Sequence, residues 1–167
     1  MIELEAISQE NLYYLDESGF DEKQPKPSGY SLKNERLPIK IPGTRTKRHS
    51  VIGLRDKDHK LVEPFIYQET ANALFIYQYF QLIRGSLIGN IKIILDNATV
   101  HKSKPLRAYC ERNNITLIYL PPYSPDLNKI EKIWGTIKKV MKRMSQNGKS
   151  LRENLEDVLK IYTIEKV

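Results

Sequence analysis

Short apolar runs alternate with longer amphipathic stretches along this chain, and the two patterns predict different elements. Five runs have the length and composition of strands: 12–15, 50–54, 61–67, 91–95 and 115–120. The second and third are separated by a short charged segment, which favours an antiparallel hairpin. The later strands alternate with helical segments, as strands joined by parallel crossovers do. The order predicts an α/β fold, a mixed five-stranded sheet with helices on both faces.

The helical segments are predicted over residues 69–87, 103–113, 126–144 and 151–164. The third has the clearest periodicity, because its apolar side chains form one stripe covering roughly 120° of the helix surface. They are Ile130, Ile133, Trp134, Ile137, Val140, Met141 and Met144. Upstream, 30–41 is weakly strand-like but interrupted by prolines, which predicts an edge element. Residues 43–49 are predicted to form a basic turn.

The length and composition favour one intracellular domain. A chain of 167 residues is of ordinary size for a domain, and we expect residues 1–167 to form a single one. No apolar run approaches the roughly 20 residues needed to cross a bilayer. The single cysteine cannot form an internal disulfide, which favours a reducing, cytoplasmic location. The histidines and the cysteine show no metal-ligand spacing.

Positive charge is concentrated in the second half of the chain. The whole sequence carries 27 Lys or Arg against 20 Asp or Glu, a formal charge of +7. Within residues 101–150 we count eleven Lys or Arg against three Asp or Glu, a local excess of eight positive charges. Such a surface attracts a polyanion by neutralising phosphates and releasing counterions. A solvated lysine-rich surface has the same composition.

Three acidic residues stand where neighbouring strands and a helix are predicted to meet. Asp16 and Asp96 each follow an apolar run, and Glu131 lies near the start of the third helix, with thirty-four residues between it and Asp96. If the two strands are parallel neighbours, both aspartates emerge at the carboxyl edge of the sheet, where α/β folds bind ligands. Taken singly, each aspartate is more typical of a turn, and the glutamate of a helix surface. Together they suit a site that holds two divalent ions about 4 Å apart for phosphodiester cleavage.

The strings that contain these acids are YYLDESGF, IILDNATVHKS and LIYLPPYSPDLNKIEKIW. They resemble the three signature blocks of the DDE transposases, in the bacterial insertion-sequence branch related to the Tc and mariner elements. The resemblance covers about residues 11–145 and implies an RNase H-like fold. It also implies an endonuclease and DNA strand transferase that uses two Mg²⁺ or Mn²⁺ ions on double-stranded DNA, at transposon ends and target. Asp16, Asp96 and Glu131 would be its catalytic, metal-binding triad.

Neighbours of the triad carry over from the same blocks. Asn97 and His101 match the second block and are expected to orient a carboxylate or contact the scissile phosphate, although a turn asparagine and a surface histidine have the same pattern. Asn128 matches the third block. Lys129 stands where the family usually has proline, and there it adds positive charge beside Glu131 and is expected to bind DNA.

The predicted third helix presents Gly135, Lys138 and Lys142 on the face that carries Glu131. We expect the DNA backbone to cross the small Gly135 and to be held by the two lysines. A solvated helix face has the same pattern, so this alternative stays open.

Full-length relatives in this family carry an amino-terminal helix-turn-helix region, whereas here the first predicted strand begins at residue 12. We therefore expect the catalytic domain alone, associated with the nucleoid of a bacterial cell and arranged as a homodimer in the DNA complex. Two alternatives stay open. One is another RNase H-like nuclease or integrase, and the other is an inactive DNA-binding remnant of a transposase.

Overall fold

The structure is a computed structural model, and it describes residues 11–21, 48–68, 70–145 and 147–163. These ranges contain five strands and four α-helices. In chain order they are β1 (Leu12–Asp21), β2 (Arg48–Arg55), β3 (Leu61–Tyr67), α1 (Ala73–Arg84), β4 (Ile91–Leu95), α2 (Lys104–Arg112), β5 (Ile115–Tyr119), α3 (Glu131–Met144) and α4 (Leu151–Tyr162). Short 3-10 turns, Thr99–Lys102 and Pro125–Leu127, precede α2 and α3.

The strands form one mixed sheet in the order β3-β2-β1-β4-β5. β2 pairs antiparallel with both β1 and β3, so the predicted hairpin is confirmed. β1, β4 and β5 run parallel, with Tyr14 beside Ile94 and Leu95 beside Tyr119. This topology confirms the predicted α/β class and brings the carboxyl end of β4 next to the middle of β1, with the carboxyl end of β5 on the other side of β4.

Helices cover both faces of the sheet because its central strands are apolar on both sides. In β4, Ile94 belongs to a core that includes Trp134 of α3, whereas Ile93 belongs to a core that includes Phe80 of α1. α3 and α4 pack on the first face, and α1 and α2 pack on the second. A Cβ added at Gly53 of β2 would lie 3.3 Å from the Trp134 ring. Glycine at this position therefore allows α3 to approach the sheet closely.

β1 is longer than predicted, and this changes the position of Asp16. The apolar pattern predicts an end at residue 15, whereas the structure continues the strand to Asp21. Residues 14–21 pair with β2, so the sheet satisfies the backbone groups of a polar stretch that resembles a turn in sequence. Asp16 lies within the strand and not just past its end, which corrects the prediction.

Two helices begin later than their periodicity predicts. α1 starts at Ala73 and not at residue 69, because the Asn72 side chain accepts a hydrogen bond from Phe75 N at 2.9 Å and caps the helix. α3 starts at Glu131 and not at residue 126, since Pro125–Leu127 forms a separate turn. Glu131 is therefore the first residue of its helix.

The other predicted elements are confirmed, with ends that shift by one or two residues. β2 includes Arg48 and His49, which the prediction placed in a basic turn. The rest of that turn and the edge element predicted at 30–41 lie outside the described residues. In the part of the chain that the structure describes, no helix is long and apolar enough to cross a membrane.

Candidate active site

Asp16 lies in the middle of β1, on the face that α3 covers. Tyr14, two residues earlier on the same face, belongs to the core formed with α3. The pKa of Asp16 is raised to about 7, mainly by burial, and the negative charges of Glu131 and Asp96 add to the rise. The surroundings thus destabilise the ionised carboxylate, and a cation placed nearby would relieve it.

Asp96 is the first residue after β4, and two hydrogen bonds fix its carboxylate. Ala98 N donates to Oδ1 at 3.0 Å, and His101 Nδ1 donates to the same oxygen at 2.6 Å. The His101 hydrogen bond holds the pKa of Asp96 below its ordinary value, against the opposing effect of burial. Asp96 is therefore an oriented carboxylate whose charge is already partly balanced.

His101 connects Asp96 to the opposite face of the sheet. Its ring is buried, and Nε2 lies 3.8 Å from Glu17 Oε1. Glu17 accepts a hydrogen bond from Tyr67 Oη at 2.6 Å, and Tyr119 Oη donates to the His101 carbonyl oxygen at 2.8 Å. Burial lowers the pKa of His101, but the hydrogen bond to Asp96 and the negative charges of Asp96 and Glu17 outweigh burial and raise the pKa to about 9. An imidazolium between two carboxylates thus orients Asp96.

Sequence reasoning identified His101 but missed Glu17 and Tyr67. One signal was available, because Glu17 directly follows Asp16 and successive residues of a strand point to opposite faces. Tyr67 lies fifty positions from Glu17 in the chain. It approaches Glu17 only through the pairing of β2 with both β1 and β3, which local pattern does not reveal.

Asn128 fixes the segment that leads into α3 and Glu131. Its side chain is 5% exposed, and Nδ2 donates to the Leu15 carbonyl oxygen at 3.0 Å. Because Leu15 precedes Asp16, this hydrogen bond ties the approach to α3 to the strand that carries the first aspartate. Asn128 Oδ1 is buried without a hydrogen-bond partner among the described residues. It is an oxygen at the edge of the site that no described residue satisfies and that could serve as a metal ligand.

The three predicted acids line one cavity of about 310 Å³. Asn97, Asn128 and the connector 121–125 form other parts of its wall. Within the described ranges, no three Asp, Glu, His or Cys side chains are already placed to hold a metal ion together. The fold therefore brings the triad to one cavity, but its side chains do not already form a coordination sphere.

Two of the predicted DNA-binding lysines lie over aromatic rings of β1. Lys129 Nζ is 5.5 Å from the centre of the Tyr14 ring, and Lys138 Nζ is 5.9 Å from the centre of the Phe20 ring. Tyr14 and Phe20 stand on either side of Asp16 along the strand. The two ammonium groups therefore lie over side chains of β1 that precede and follow Asp16 in the strand.

Gly135 and Lys142 continue the exposed surface of α3. Both residues are exposed, and a Cβ added at Gly135 would have no atom within 4 Å. The helix is thus open to solvent where the DNA backbone is predicted to cross it. The contribution of Lys138 and Lys142 to DNA binding stays a prediction.

Known proteins share the sequence pattern of this chain. A family model described as DDE superfamily endonuclease matches residues 11–152. The uncharacterized 39 kDa protein of insertion element IS630 from Shigella sonnei is 23% identical over 145 residues, covering 85% of this chain and 42% of that protein. The transposable element Tc3 transposase of Caenorhabditis elegans is 44% identical over 46 residues, covering 28% of this chain and 14% of that protein. This chain spans less than half the length of these two relatives.

Solved structures of Mos1 transposase share the fold. The paired-end complex with the left transposon end has a TM-score of 0.63 at 16% identity, covering 91% of this chain and 53% of that chain. A Mos1 mariner paired-end complex with Mn has a TM-score of 0.59 at 16% identity, covering 93% of this chain and 54% of that chain. These likenesses confirm the predicted RNase H-like fold.

Proposed function

Since this chain belongs to the family of DDE superfamily endonucleases, we propose that it cuts and joins DNA strands as a transposase catalytic domain. The observation that carries the proposal is the convergence of Asp16, Asp96 and Glu131 on one cavity, from three separate elements. The reaction is hydrolysis of a phosphodiester at a transposon end, followed by transesterification into target DNA.

The donor chemistry of this cavity suits two Mg²⁺ or Mn²⁺ ions, because such cations prefer oxygen ligands. Burial and neighbouring negative charges raise the pKa of Asp16, so that carboxylate gains from a nearby cation. Asn128 Oδ1 is buried without a hydrogen-bond partner among the described residues, so it would also gain from a nearby cation. Glu131 is exposed, so it can turn toward the two aspartates without leaving a buried position. When bound, the ions supply an activated water and stabilise the leaving oxygen.

His101 is a positioning residue in this proposal. It lies between Asp96 and Glu17, and through Glu17 it is linked to Tyr67. This arrangement presents the remaining oxygen of Asp96 toward the cavity in one orientation. Asn97 is exposed on the cavity wall, where it is suited to contact the scissile phosphate.

The substrate in this proposal is double-stranded DNA, comprising transposon ends and target. The exposed α3 surface carries Lys138 and Lys142, and Lys129 lies just before the helix. Lysines neutralise phosphates and add to affinity without reading sequence. The related transposase structures contain paired transposon ends, which is why we propose a homodimer on DNA and a location at the bacterial nucleoid.

A plasmid-nicking assay tests the proposed function. Supercoiled DNA is incubated with the protein and Mg²⁺ or Mn²⁺, and nicked product is separated by electrophoresis. Activity is expected to need the metal and to be abolished by Asp16→Asn, Asp96→Asn or Glu131→Gln. Glu111→Gln is the matched control, because it removes an exposed carboxylate on α2, on the opposite face of the sheet. Nicking that survives all three triad substitutions would contradict the assignment.

The same assay separates the alternatives. A nuclease of the RNase H type would prefer a substrate that contains RNA, so RNA–DNA hybrid and DNA duplex are compared at equal concentration. A DNA-binding remnant would bind the duplex without metal and produce no nick under any condition.

A further inference from the structure

A second and larger cavity adjoins the catalytic cavity. Its volume is about 760 Å³, and it shares Pro125, Asn128 and Glu131 with the first. The two cavities therefore meet at these three residues.

The second cavity is rich in basic side chains. Arg55 and Lys57 come from β2 and the turn after it, and Lys129 and Lys132 come from the segment around the start of α3. Asp126 and Glu131 are the acids in its lining. Four cations against two carboxylates make this space attractive to an anion.

Arg55 is the unusual member of this set, because it is 5% exposed and no carboxylate of a described residue forms an ion pair with it. Its guanidinium lies over the Tyr14 ring at 5.5 Å and hydrogen-bonds His59 Nδ1. Among the described residues, no ion pair includes Arg55. Burial lowers the pKa of this guanidinium, against the effects of Tyr14 and Asp56. A buried cation that makes no ion pair among the described residues is stabilised by a ligand that brings negative charge.

The β2–β3 turn explains why the neighbouring Asp56 forms no direct ion pair with Arg55. Asp56 Oδ1 accepts from Lys60 N at 2.8 Å, and Asp56 N donates to Lys60 O at 3.0 Å. The turn between them places His59 at a φ of 62°, a left-handed conformation that directs the chain back toward Arg55. Asp56 is thus used to close the turn, and the guanidinium remains available at the cavity wall.

Lys129 increases the local positive charge at the same point. Its Nζ lies 5.5 Å from the Tyr14 ring centre, the same distance as the Arg55 guanidinium carbon. One aromatic ring therefore supports two cations, whose mutual repulsion an anion between them would relieve. A guanidinium also offers a fork of donors that matches two phosphate oxygens.

We propose that this cavity is a phosphodiester-binding subsite, in which Arg55, Lys129 and Lys132 hold a backbone phosphate of the DNA strand that continues from the triad. The identity of the anion as DNA rests on the proposed function, whereas the subsite itself rests on the buried Arg55, which makes no ion pair among the described residues. This subsite lies on the β2–β3 side of Glu131. It is separate from the surface around Lys138 and Lys142, where the DNA backbone is predicted to cross α3.

Binding of a short duplex oligonucleotide in EDTA tests the subsite without catalysis. The logarithm of the association constant is measured against the logarithm of NaCl concentration for Arg55→Gln and Lys132→Gln. Each substitution is expected to reduce the slope by about one unit, because one phosphate contact is lost. Arg112→Gln is the matched control, since this exposed arginine lies on α2 on the opposite face of the sheet. Slopes unchanged in both variants would overturn the subsite.

Failure of the subsite is distinguishable from failure of the proposed function. If the wild-type protein nicks DNA but both slopes are unchanged, the subsite is overturned and the catalytic proposal stands. If no nicking occurs but the slopes fall, the subsite stands and the catalytic proposal fails.

Arg55→Met separates a binding role from a structural one. This substitution keeps an unbranched buried side chain and removes the charge. Without DNA, its melting temperature is expected to equal or exceed that of the wild type, while duplex affinity falls. A lower melting temperature with unchanged affinity would show that Arg55 is structural and would overturn the proposal. The exposed Lys132→Gln carries the test if an Arg55 variant does not fold.

Discussion

Asp16→Asn is expected to stabilise the protein when no divalent metal is present, although it removes a predicted catalytic group. The raised pKa of Asp16 means that folding places an ionised carboxylate in a poorly solvated position close to Asp96 and Glu131. Asparagine has nearly the same shape and no charge, so it avoids this cost. An increase in stability on loss of the carboxylate would identify Asp16 as a residue held in place for a ligand.

The magnitude follows from the pKa. The rise from 3.8 to about 7 is about three pKa units, and each unit corresponds to about 1.36 kcal/mol, which gives an upper bound of about 4 kcal/mol. Asp16 is partly solvated and its neighbours can relax, so we expect about 1–2 kcal/mol at pH 8. For a chain of this length that is an increase in melting temperature of about 2–8 °C.

The sign of the pH dependence is fixed by the direction of the shift. The folded state holds the Asp16 proton more tightly than the unfolded state, so this residue's contribution to stability is lost as pH rises from about 4 to about 7. The advantage of Asp16→Asn should therefore grow between pH 5 and pH 8. Thermal unfolding followed by circular dichroism in EDTA measures it at both values.

Three comparisons make this experiment decisive. Asp126→Asn should change stability by less than about 0.5 kcal/mol, since its carboxylate is exposed. Asp96→Asn should lower the melting temperature, because it loses the charge-assisted hydrogen bond from His101. Mg²⁺ should raise the melting temperature of the wild type and have less effect on Asp16→Asn. A lower melting temperature of Asp16→Asn at pH 8, or an equal advantage at both pH values, would refute the reasoning.

Three further substitutions test how the fold supports the site. Asn128→Ala leaves the Leu15 carbonyl without its 3.0 Å donor and should cost about 1–3 kcal/mol in urea unfolding, with reduced nicking. Gly53→Val pushes on the Trp134 ring and should cost about 1–3 kcal/mol, and an unchanged stability would contradict the close packing of α3. Ser150→Ala removes the capping box of α4 and should cost about 1 kcal/mol, with nicking per folded molecule unchanged.

The parts of the fold that sequence predicts well are those whose pattern is local. β4 matches its predicted range because five consecutive residues are almost all apolar and are followed by Asp96 and Asn97. The apolar stripe of α3 is recovered because helical period is a property of the segment itself. Asp96, which follows β4, and Glu131, which begins α3, both line the cavity of the predicted site.

The parts that sequence predicts poorly depend on partners far along the chain. The predicted strand before Asp16 ends too early, because the polar residues that follow adopt strand geometry only by pairing with β2, which begins at Arg48. The predicted start of α3 is too early, because the helical period of the sequence carries no information about the hydrogen bond between Asn128 and Leu15, which are 113 positions apart. Arg55 has no distinguishing feature in the sequence, because only its burial without an ion pair among the described residues is unusual.

Asp16 and Asp96 show how one residue type is placed in two electrostatic states within a single site. His101 already balances part of the charge of Asp96, whereas Asp16 faces negative neighbours and has no comparable side-chain donor among its electrostatic partners. The gain from a cation is therefore concentrated on Asp16, and metal affinity should depend on it more than on Asp96. Glu131 lines both cavities, so a cation drawn to the triad also removes negative charge from the wall of the Arg55 subsite. Metal binding and phosphate binding should consequently reinforce each other across this shared residue.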